Sequence, residues 1–161
     1  MSELRDALGI LKETKNRFER RVPLIPEELK QLIAEGIEVR VERSPNRAFE
    51  DHEFEAVGCV MVDDATDCRF IMGVKEVKTS QVKPGQTVMC FSHTIKGQSH
   101  NMPLLQHFLD VGASLVDYEV VVDDHCRADL KRIGAPLVIF SSYGDNITPP
   151  HQALGWLKEV F

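Results

Sequence analysis

The chain has 161 residues, with 19 lysines and arginines against 25 aspartates and glutamates, which gives a formal net charge of −6. Hydrophobic residues make up 43% of the sequence, too many for an intrinsically disordered chain and typical of a globular domain. The acidic balance argues against a nucleic-acid partner, and no apolar run approaches the roughly 20 residues of a membrane-spanning helix. The length predicts one domain, too small to hold both a nucleotide-binding domain and a separate substrate domain.

The cysteines and the N-terminus predict a cytoplasmic protein. The cysteines contain no CxxC pair, and three of them lie in or beside apolar, strand-like runs, which favours reduced thiols over a disulfide framework. They are Cys59, Cys68, Cys90 and Cys126. Residues 1–7 are short and polar, unlike a signal peptide or an arginine-rich transit peptide.

Strand and helix patterns alternate along the first part of the chain. Residues 8–11 form an apolar run typical of a strand, and a charged loop spans residues 12–21. A helix is expected to begin at Pro26 and to end at Gly36, with apolar residues at helical spacing. These residues are Leu29, Leu32 and Ile33.

Two shorter elements follow this helix. Residues 37–41 alternate apolar and charged side chains, which predicts a strand with one solvent-exposed face. Asp51 is expected to cap a short helix that carries Phe54 and Val57 and ends at Gly58.

Three further runs are expected to be strands buried on both faces of a parallel sheet, because they are short and apolar. They are residues 59–62, 70–74 and 87–91. A helix between Asn101 and Gly112 should follow, with its inner face formed by Leu104, Leu105, Phe108 and Leu109. Residues 115–116 and 120–122 provide more strand material. This alternation predicts an α/β fold of three layers, flavodoxin-like (Rossmann-like), with a mainly parallel sheet.

The last part of the chain differs in pattern from the rest. Residues 137–140 predict a strand, residues 141–146 a turn, and Thr148 the cap of a helix. We therefore expect residues 1–125 to form the main domain and residues 126–161 to add one βα unit to it.

Motifs for phosphate, metal and serine chemistry are absent from the sequence. It contains no GxGxxG, no GxxxxGK[ST] and no GxSxG. We therefore expect no cofactor to be bound by this chain alone. His93, His100 and His107 are spaced by seven residues, but His93 precedes the predicted helix, so no metal site is expected.

Reactive side chains instead follow three predicted strands, where open α/β sheets bind ligands. Arg21 ends the charged loop and could hold a carboxylate through two hydrogen bonds, or the loop could be a solvated surface. Lys75 follows a buried strand, which would lower the pKa of its amine, or it could reach solvent and pair with Glu76. His93 could transfer protons near neutral pH, or could be an ordinary hydrogen-bonded histidine. Glu119 adds a carboxylate after the next strand.

Several motifs occur together in one order. They are KETKN and ERRVPLIPE within residues 12–27, SPNRAF at 44–49, GVKE at 73–76, FSHTIK at 91–96, NMPLL at 101–105 and DYE at 117–119. The first resembles the opening signature of the alanine dehydrogenase/pyridine nucleotide transhydrogenase N-terminal domain family. The others are similar to its saccharopine dehydrogenase and lysine–ketoglutarate reductase branch, over residues 8–125. Ile25 stands where the family usually has threonine, so a helix N-cap is expected to be lost there.

The resemblance implies roles for particular residues. Members of this branch couple NAD(P)-dependent hydride transfer to making or breaking the secondary amine between lysine and 2-oxoglutarate. By motif match, Lys75 and His93 correspond to the acid/base pair. Arg21 matches the arginine that holds a substrate carboxylate. Glu76 and Glu119 match acidic residues that tune these charges or bind the substrate amine.

The resemblance also implies a function for the chain. We expect the substrate-binding domain of a saccharopine dehydrogenase- or lysine–ketoglutarate reductase-like amino-acid oxidoreductase, without its own NAD(P)-binding domain. The alternative is a stand-alone binding or regulatory module for an amino acid or dicarboxylate, without catalysis. Expected partners are an amino acid or 2-oxo acid, a separate nucleotide-binding domain or chain, and further copies of the chain, but neither nucleic acid nor membrane.

Overall fold

The computed structural model describes residues 3–118. The strands in this part of the chain are β1 Arg5–Ile10, β2 Val39–Glu42, β3 Val60–Val62, β4 Cys68–Lys75, β5 Thr87–Phe91 and β6 Ser114–Asp117. The helices are α1 Pro26–Ala34, α2 Asp51–Ala56 and α3 Met102–Val111, with 3₁₀ turns at Thr79–Gln81 and Thr94–Lys96. The strands form one sheet in the order β3-β2-β1-β4-β5-β6, and every neighbouring pair is parallel.

Helices cover both faces of this sheet. Leu29 of α1 and Phe54 of α2 pack on one face in a core with Ile10 of β1. Phe108 of α3 packs on the other face in a core with Ile71 of β4. The predicted three-layer α/β fold with a mainly parallel sheet is therefore confirmed. No helix within residues 3–118 is long and apolar enough to cross a membrane.

The predicted ends of the two longer helices are also confirmed. Pro26 opens α1, and Gly36 follows it with a φ of 90°. Asn101 is the N-cap of α3, and Gly112 ends it with a φ of 65°. Although Ile25 supplies no capping side chain, its N–H donates to Glu28 Oε2 at 2.8 Å, which satisfies one of the free donors of α1.

The prediction that three strands are buried on both faces is wrong in part. Val60 is 46% exposed because β3 is a three-residue strand at the edge of the sheet. Phe70 is 43% exposed because it lies along an open groove of about 420 Å³, beside Met72 and Met89. In β5, buried and half-buried residues alternate.

Three smaller expectations are also corrected. β2 begins at Val39, so Ile37 lies outside it and is 40% exposed. Leu109 is 70% exposed, because the buried stripe of α3 is narrow and runs through Leu104 and Phe108. Glu50, not Asp51, is the N-cap of α2, and the carboxylate of Asp51 pairs with Arg47 and Arg43 instead. The predictions for residues 120–122, for Glu119 and Cys126, and for the unit at 126–161 lie outside the described residues.

The connection from β3 to β4 crosses the sheet without a helix. It passes so close to β1 that a Cβ built on Gly9 would lie 2.8 Å from the carbonyl oxygen of Ala65. The N–H of Ala65 donates to Glu42 Oε1 at 3.1 Å, and the buried amide of Gln86 donates to the carbonyls of Thr66 and Cys68, each at 2.7 Å. Glycine at position 9 is therefore required by close approach of backbone rather than by its own conformation.

We expect Gly9→Ala to lower the free energy of unfolding by about 1–3 kcal/mol, because the crossing segment must shift to admit the methyl group. Urea denaturation measures this change. Gly85→Ala is the comparison, since Gly85 has a φ of 77° and open space around its Cβ position. That variant should cost about 1–2 kcal/mol through backbone strain alone. Gly85→Ala should keep the core contacts of Ala65 and Cys68, and Gly9→Ala should lose them. This difference separates backbone strain from displacement of the crossing segment. A Gly9→Ala chain as stable as the wild type would contradict the close approach.

Candidate active site

The candidate site lies at the carboxyl ends of β1, β4, β5 and β6, which are consecutive neighbours in the sheet. After β1 the chain builds one side of the sheet through β2 and β3, and it then returns to build the other side from β4. The strand order therefore reverses between β1 and β4. In open α/β sheets, ligands bind in the crevice outside the carboxyl ends of the strands at such a reversal.

Glu13 joins the two sides of this crevice. It lies just after β1, and its carboxylate accepts hydrogen bonds from the backbone N–H groups of Val74 at 2.6 Å and Lys75 at 3.2 Å. Burial raises the pKa of Glu13, and the two backbone donors act in the opposite direction. The loop after β1 is thus fixed to the end of β4.

Lys75 ends β4 beside this contact, and Glu76 follows it. Both residues are partly buried, and Lys75 is the register partner of Phe91 on β5. One carboxylate oxygen of Glu76 pairs with Lys15 Nζ from the loop after β1. The other is buried and, among residues 3–118, has no hydrogen-bond partner. The sequence left open an ion pair between Lys75 and Glu76. In the structure Glu76 pairs with Lys15 instead.

Arg21 carries the positive charge at the far end of the same loop. Its Nε and Nη2 donate to the two carboxylate oxygens of Glu19, at 2.7 and 2.6 Å. This hydrogen-bonded pair lowers the pKa of Glu19 to about 2, and the charge of Lys75 adds to the lowering. Glu19 occupies one edge of the guanidinium, and since arginine has five N–H donors, a second edge remains for another carboxylate.

His93 lies in a tightly held turn after β5. Its φ is 57°, which makes it the one non-glycine residue in the described part of the chain with a left-handed backbone. On one side, the fully buried hydroxyl of Ser92 bonds to the carboxylate of Asp117 and accepts from the N–H of Thr94 at 3.1 Å. Lys96 Nζ lies 3.3 Å from His93 Nδ1.

Phe91 connects His93 to a small open cavity. Its ring lies 6.4 Å from the His93 ring and meets the Tyr118 ring edge-on at 5.1 Å. The cavity has a volume of about 360 Å³, and its lining includes Arg21, Val74, Phe91 and Tyr118. The hydroxyl of Tyr118 is buried without a partner among residues 3–118, and burial raises its pKa, so it is a neutral donor.

The sheet thus brings the segments of Arg21, Lys75, Glu76 and His93 to one edge, while Glu119 lies outside the described residues. Sequence reasoning did not assign roles to Glu13, Ser92 or Tyr118. Their contacts join positions such as 13 and 74, which no local pattern connects.

The chain matches the family model "Alanine dehydrogenase/PNT, N-terminal domain" over residues 9–134. It belongs to this family. The resemblance expected from the motifs is therefore confirmed.

Individual members of the family and its relatives agree with this assignment. The chain is 37% identical over 142 residues to an alpha-aminoadipic semialdehyde synthase of Arabidopsis thaliana, covering 84% of the chain and 13% of that protein. It is 36% identical over 125 residues to a saccharopine dehydrogenase [NAD(+), L-lysine-forming] of Neurospora crassa, covering 74% of the chain and 33% of that protein. The chain therefore spans a third or less of these relatives.

A solved L-alanine dehydrogenase has the same fold. It superposes with a TM-score of 0.63 at 24% identity, over 74% of this chain and 34% of that one.

The described part of the chain gives little support for a metal site or a cysteine nucleophile. No three histidine, cysteine, aspartate or glutamate residues within 3–118 are grouped so that they could hold a metal ion. Burial raises the pKa of the Cys59 and Cys68 thiols to about 11 and that of Cys90 to about 12, so these three free thiols are poor nucleophiles.

The Arg21–Glu19 pair predicts a pH dependence of stability. The folded-state pKa of Glu19 is about 2, below its ordinary value of 4.5. The carboxylate therefore stabilises the fold fully above about pH 4.5, and this stabilisation is lost as the pH falls towards 2. The difference in unfolding free energy between wild type and Glu19→Gln should shrink over that range, as measured by urea denaturation. In an Arg21→Ala background the difference should show little pH dependence, and an unchanged pH dependence there would contradict the assignment to Arg21.

Proposed function

We propose that this chain forms the substrate-binding domain of a saccharopine dehydrogenase- or lysine–ketoglutarate reductase-like amino-acid oxidoreductase. The observation that carries the proposal is the convergence of the Arg21, Lys75 and His93 segments on the carboxyl edge of the sheet, at the reversal of strand order, in a member of this family.

In this proposal Arg21 anchors a substrate carboxylate. Its side chain is 59% exposed beside the 360 Å³ cavity, and one edge of its guanidinium is not used by Glu19. A two-pronged bond to a carboxylate fixes both position and orientation of the substrate. The larger groove along Phe70 and Met89 is lined mainly by apolar residues and suits such a charged ligand less well.

Lys75 and His93 then supply the proton transfers. Hydrolysis of an imine requires water to add to the iminium carbon and lose a proton, and the nitrogen must gain one before the C–N bond breaks. Two neighbouring acid/base groups can carry these protons. Lys75 is the register partner of Phe91, and His93 follows Phe91 by two residues, so the two groups end adjacent strands. The anchored carboxylate would hold the reacting carbon beside them.

Glu76 and Glu119 complete the proposed site. The unpartnered, buried oxygen of Glu76 supports a bond to a substrate ammonium group, because leaving a buried acceptor without a donor costs about 1–3 kcal/mol. Glu119 follows Tyr118 directly, and we propose the same type of role for it from the motif match.

The described residues do not fit a dinucleotide. Its pyrophosphate would bind at the N-terminus of the helix after the first strand, where a glycine-rich turn exposes N–H groups. In this chain residues 11–25 contain no glycine, Glu27 and Glu28 lie in the first turn of α1, and Glu28 already accepts from the N–H of Ile25. We therefore propose that NAD(P), which would accept or supply the hydride, is held by another domain or chain.

This misfit also favours a second candidate function, a binding or regulatory module for an amino acid or dicarboxylate without redox chemistry. We further propose a cytoplasmic location, on the strength of the three free, buried thiols, and self-association in the assembled enzyme.

Ligand titration tests the proposal. Isothermal calorimetry with saccharopine, lysine, 2-oxoglutarate, alanine and pyruvate should detect binding of saccharopine or 2-oxoglutarate. Arg21→Ala should weaken it about tenfold or more, because a hydrogen bond to a charged group contributes about 1.5–3 kcal/mol. The matched control is Arg17→Ala, in the same loop, where the guanidinium stacks on the exposed ring of Phe18. Equal losses in both variants, or no binding of any ligand, would contradict the proposal.

Cofactor oxidation separates the two candidate functions. The chain alone should not oxidise NADH or NADPH in the presence of lysine and 2-oxoglutarate, and turnover should appear when a nucleotide-binding domain of the family is supplied. Lys75→Met and His93→Gln should then fold normally and lack turnover. Binding without turnover under any such condition would support the regulatory module.

A further inference from the structure

We propose that Glu13 is a positioning residue, which holds the proton-transferring Lys75 at a fixed place relative to the carboxylate-binding Arg21. This role rests on the proposed function of those two residues. Glu13 itself is not proposed to touch the substrate.

The hydrogen-bond ladder between β1 and β4 explains why a side chain is needed here. The paired residues of the two strands end at Ile10 and Met72, and the N–H of Leu11 still donates to the carbonyl of Met72 at 2.9 Å. Beyond that point β4 continues to Lys75 while the chain after β1 turns away into the loop. There the carboxylate of Glu13 accepts the hydrogen bonds of the N–H groups of Val74 and Lys75.

At this point the pairing of β4 with its other neighbour, β5, is not regular. The register between β4 and β5 shifts between Met72 and Lys75, so this stretch of the ladder is irregular. Gly73 passes close to the carboxylate, since a Cβ built on it would lie 3.5 Å from Glu13 Oε1. Glu13 thus acts as a continuation of β1, and it fixes the backbone that carries Lys75.

The same glutamate begins the segment that carries Arg21. Glu13 and Arg21 belong to one loop, and each contributes to the electrostatic environment of the other. Because Glu13 binds the β4 backbone, a displacement of this loop also displaces Lys75. One carboxylate therefore sets the spacing between the group that would anchor the substrate and the group that would move the proton.

Glu42 provides a matched control. Its carboxylate also accepts from two backbone N–H groups, those of Lys12 at 3.0 Å and Ala65 at 3.1 Å. Glu42 is buried, whereas Glu13 is partly buried. It fixes the start of the same loop to the β3–β4 connection rather than to Lys75. Glutamine at either position keeps one acceptor oxygen and places an NH₂ group where the second N–H needs an acceptor.

The experiment compares Glu13→Gln with Glu42→Gln in the full chain. The first readout is the rate at which an amine-reactive reagent labels Lys75 relative to Lys30, an exposed lysine on α1, measured by peptide mass spectrometry. The second is the calorimetric affinity for saccharopine and 2-oxoglutarate. We expect Glu13→Gln to raise the relative labelling of Lys75 at least threefold and to weaken affinity at least tenfold. Glu42→Gln should change each less than twofold.

The outcomes separate this inference from the proposed function. Equal effects of the two variants on Lys75 would show that Glu13 acts only through general stability, and would overturn the inference. If the wild-type chain binds neither ligand but Glu13→Gln alone raises Lys75 labelling, the positioning of Lys75 stands and the proposed function fails. If Glu13→Gln does not fold, Glu13→Asp replaces it, because the shorter carboxylate reaches only one of the two N–H groups and should produce the same selective change at Lys75.

Discussion

The two hydrogen bonds from the N–H groups of Val74 and Lys75 to the Glu13 carboxylate are the contact on which the site depends. A parallel sheet brings its strand ends to one edge, but it does not by itself fix the loops that leave those ends. In this chain the loop after β1 runs without a helix until Pro26. A partly buried carboxylate is costly unless backbone donors compensate it, and those donors belong to the strand end that carries Lys75. The contact therefore stabilises a particular arrangement of the edge rather than the fold in general.

The connection from β3 to β4 shows a second use of buried polar side chains. The β3–β4 connection has no helix to bury its backbone, so its polar groups need partners from elsewhere. Glu42 and Gln86 supply them, and Gly9 gives the connection room to cross β1. At the start of the loop after β1, the N–H of Lys12 donates to Glu42, and the carboxylate of the next residue, Glu13, accepts from the end of β4. Glu42 thus joins β2 to the β3–β4 connection and to the loop after β1, and Glu13 joins that loop to the end of β4 at the candidate site.

Local sequence patterns predicted most of the fold. Strand and helix periodicity, and boundary residues such as Pro26 and Gly112, depend only on residues that are neighbours in the sequence. Burial was predicted less well, since the exposure of Val60 and Leu109 depends on which layer packs against them. The motif resemblance identified the family and the segments that meet at the edge. It could not supply the contacts of Glu13 or the bond between Ser92 and Asp117, which join residues 61 and 25 positions apart. A glycine inside a strand, as at Gly9 of β1, is a pattern typical of close backbone approach, but no such prediction was drawn from it.

Substrate binding at the carboxyl edge between β1 and β5 can be tested by an amide chemical-shift titration of the chain with saccharopine or 2-oxoglutarate, followed by NMR. We expect saturable shifts concentrated at the amides of Arg21, Val74, Lys75 and His93, with little change along the apolar groove beside Phe70. Shifts confined to that groove, or no saturable shift with either ligand, would contradict substrate binding at this edge.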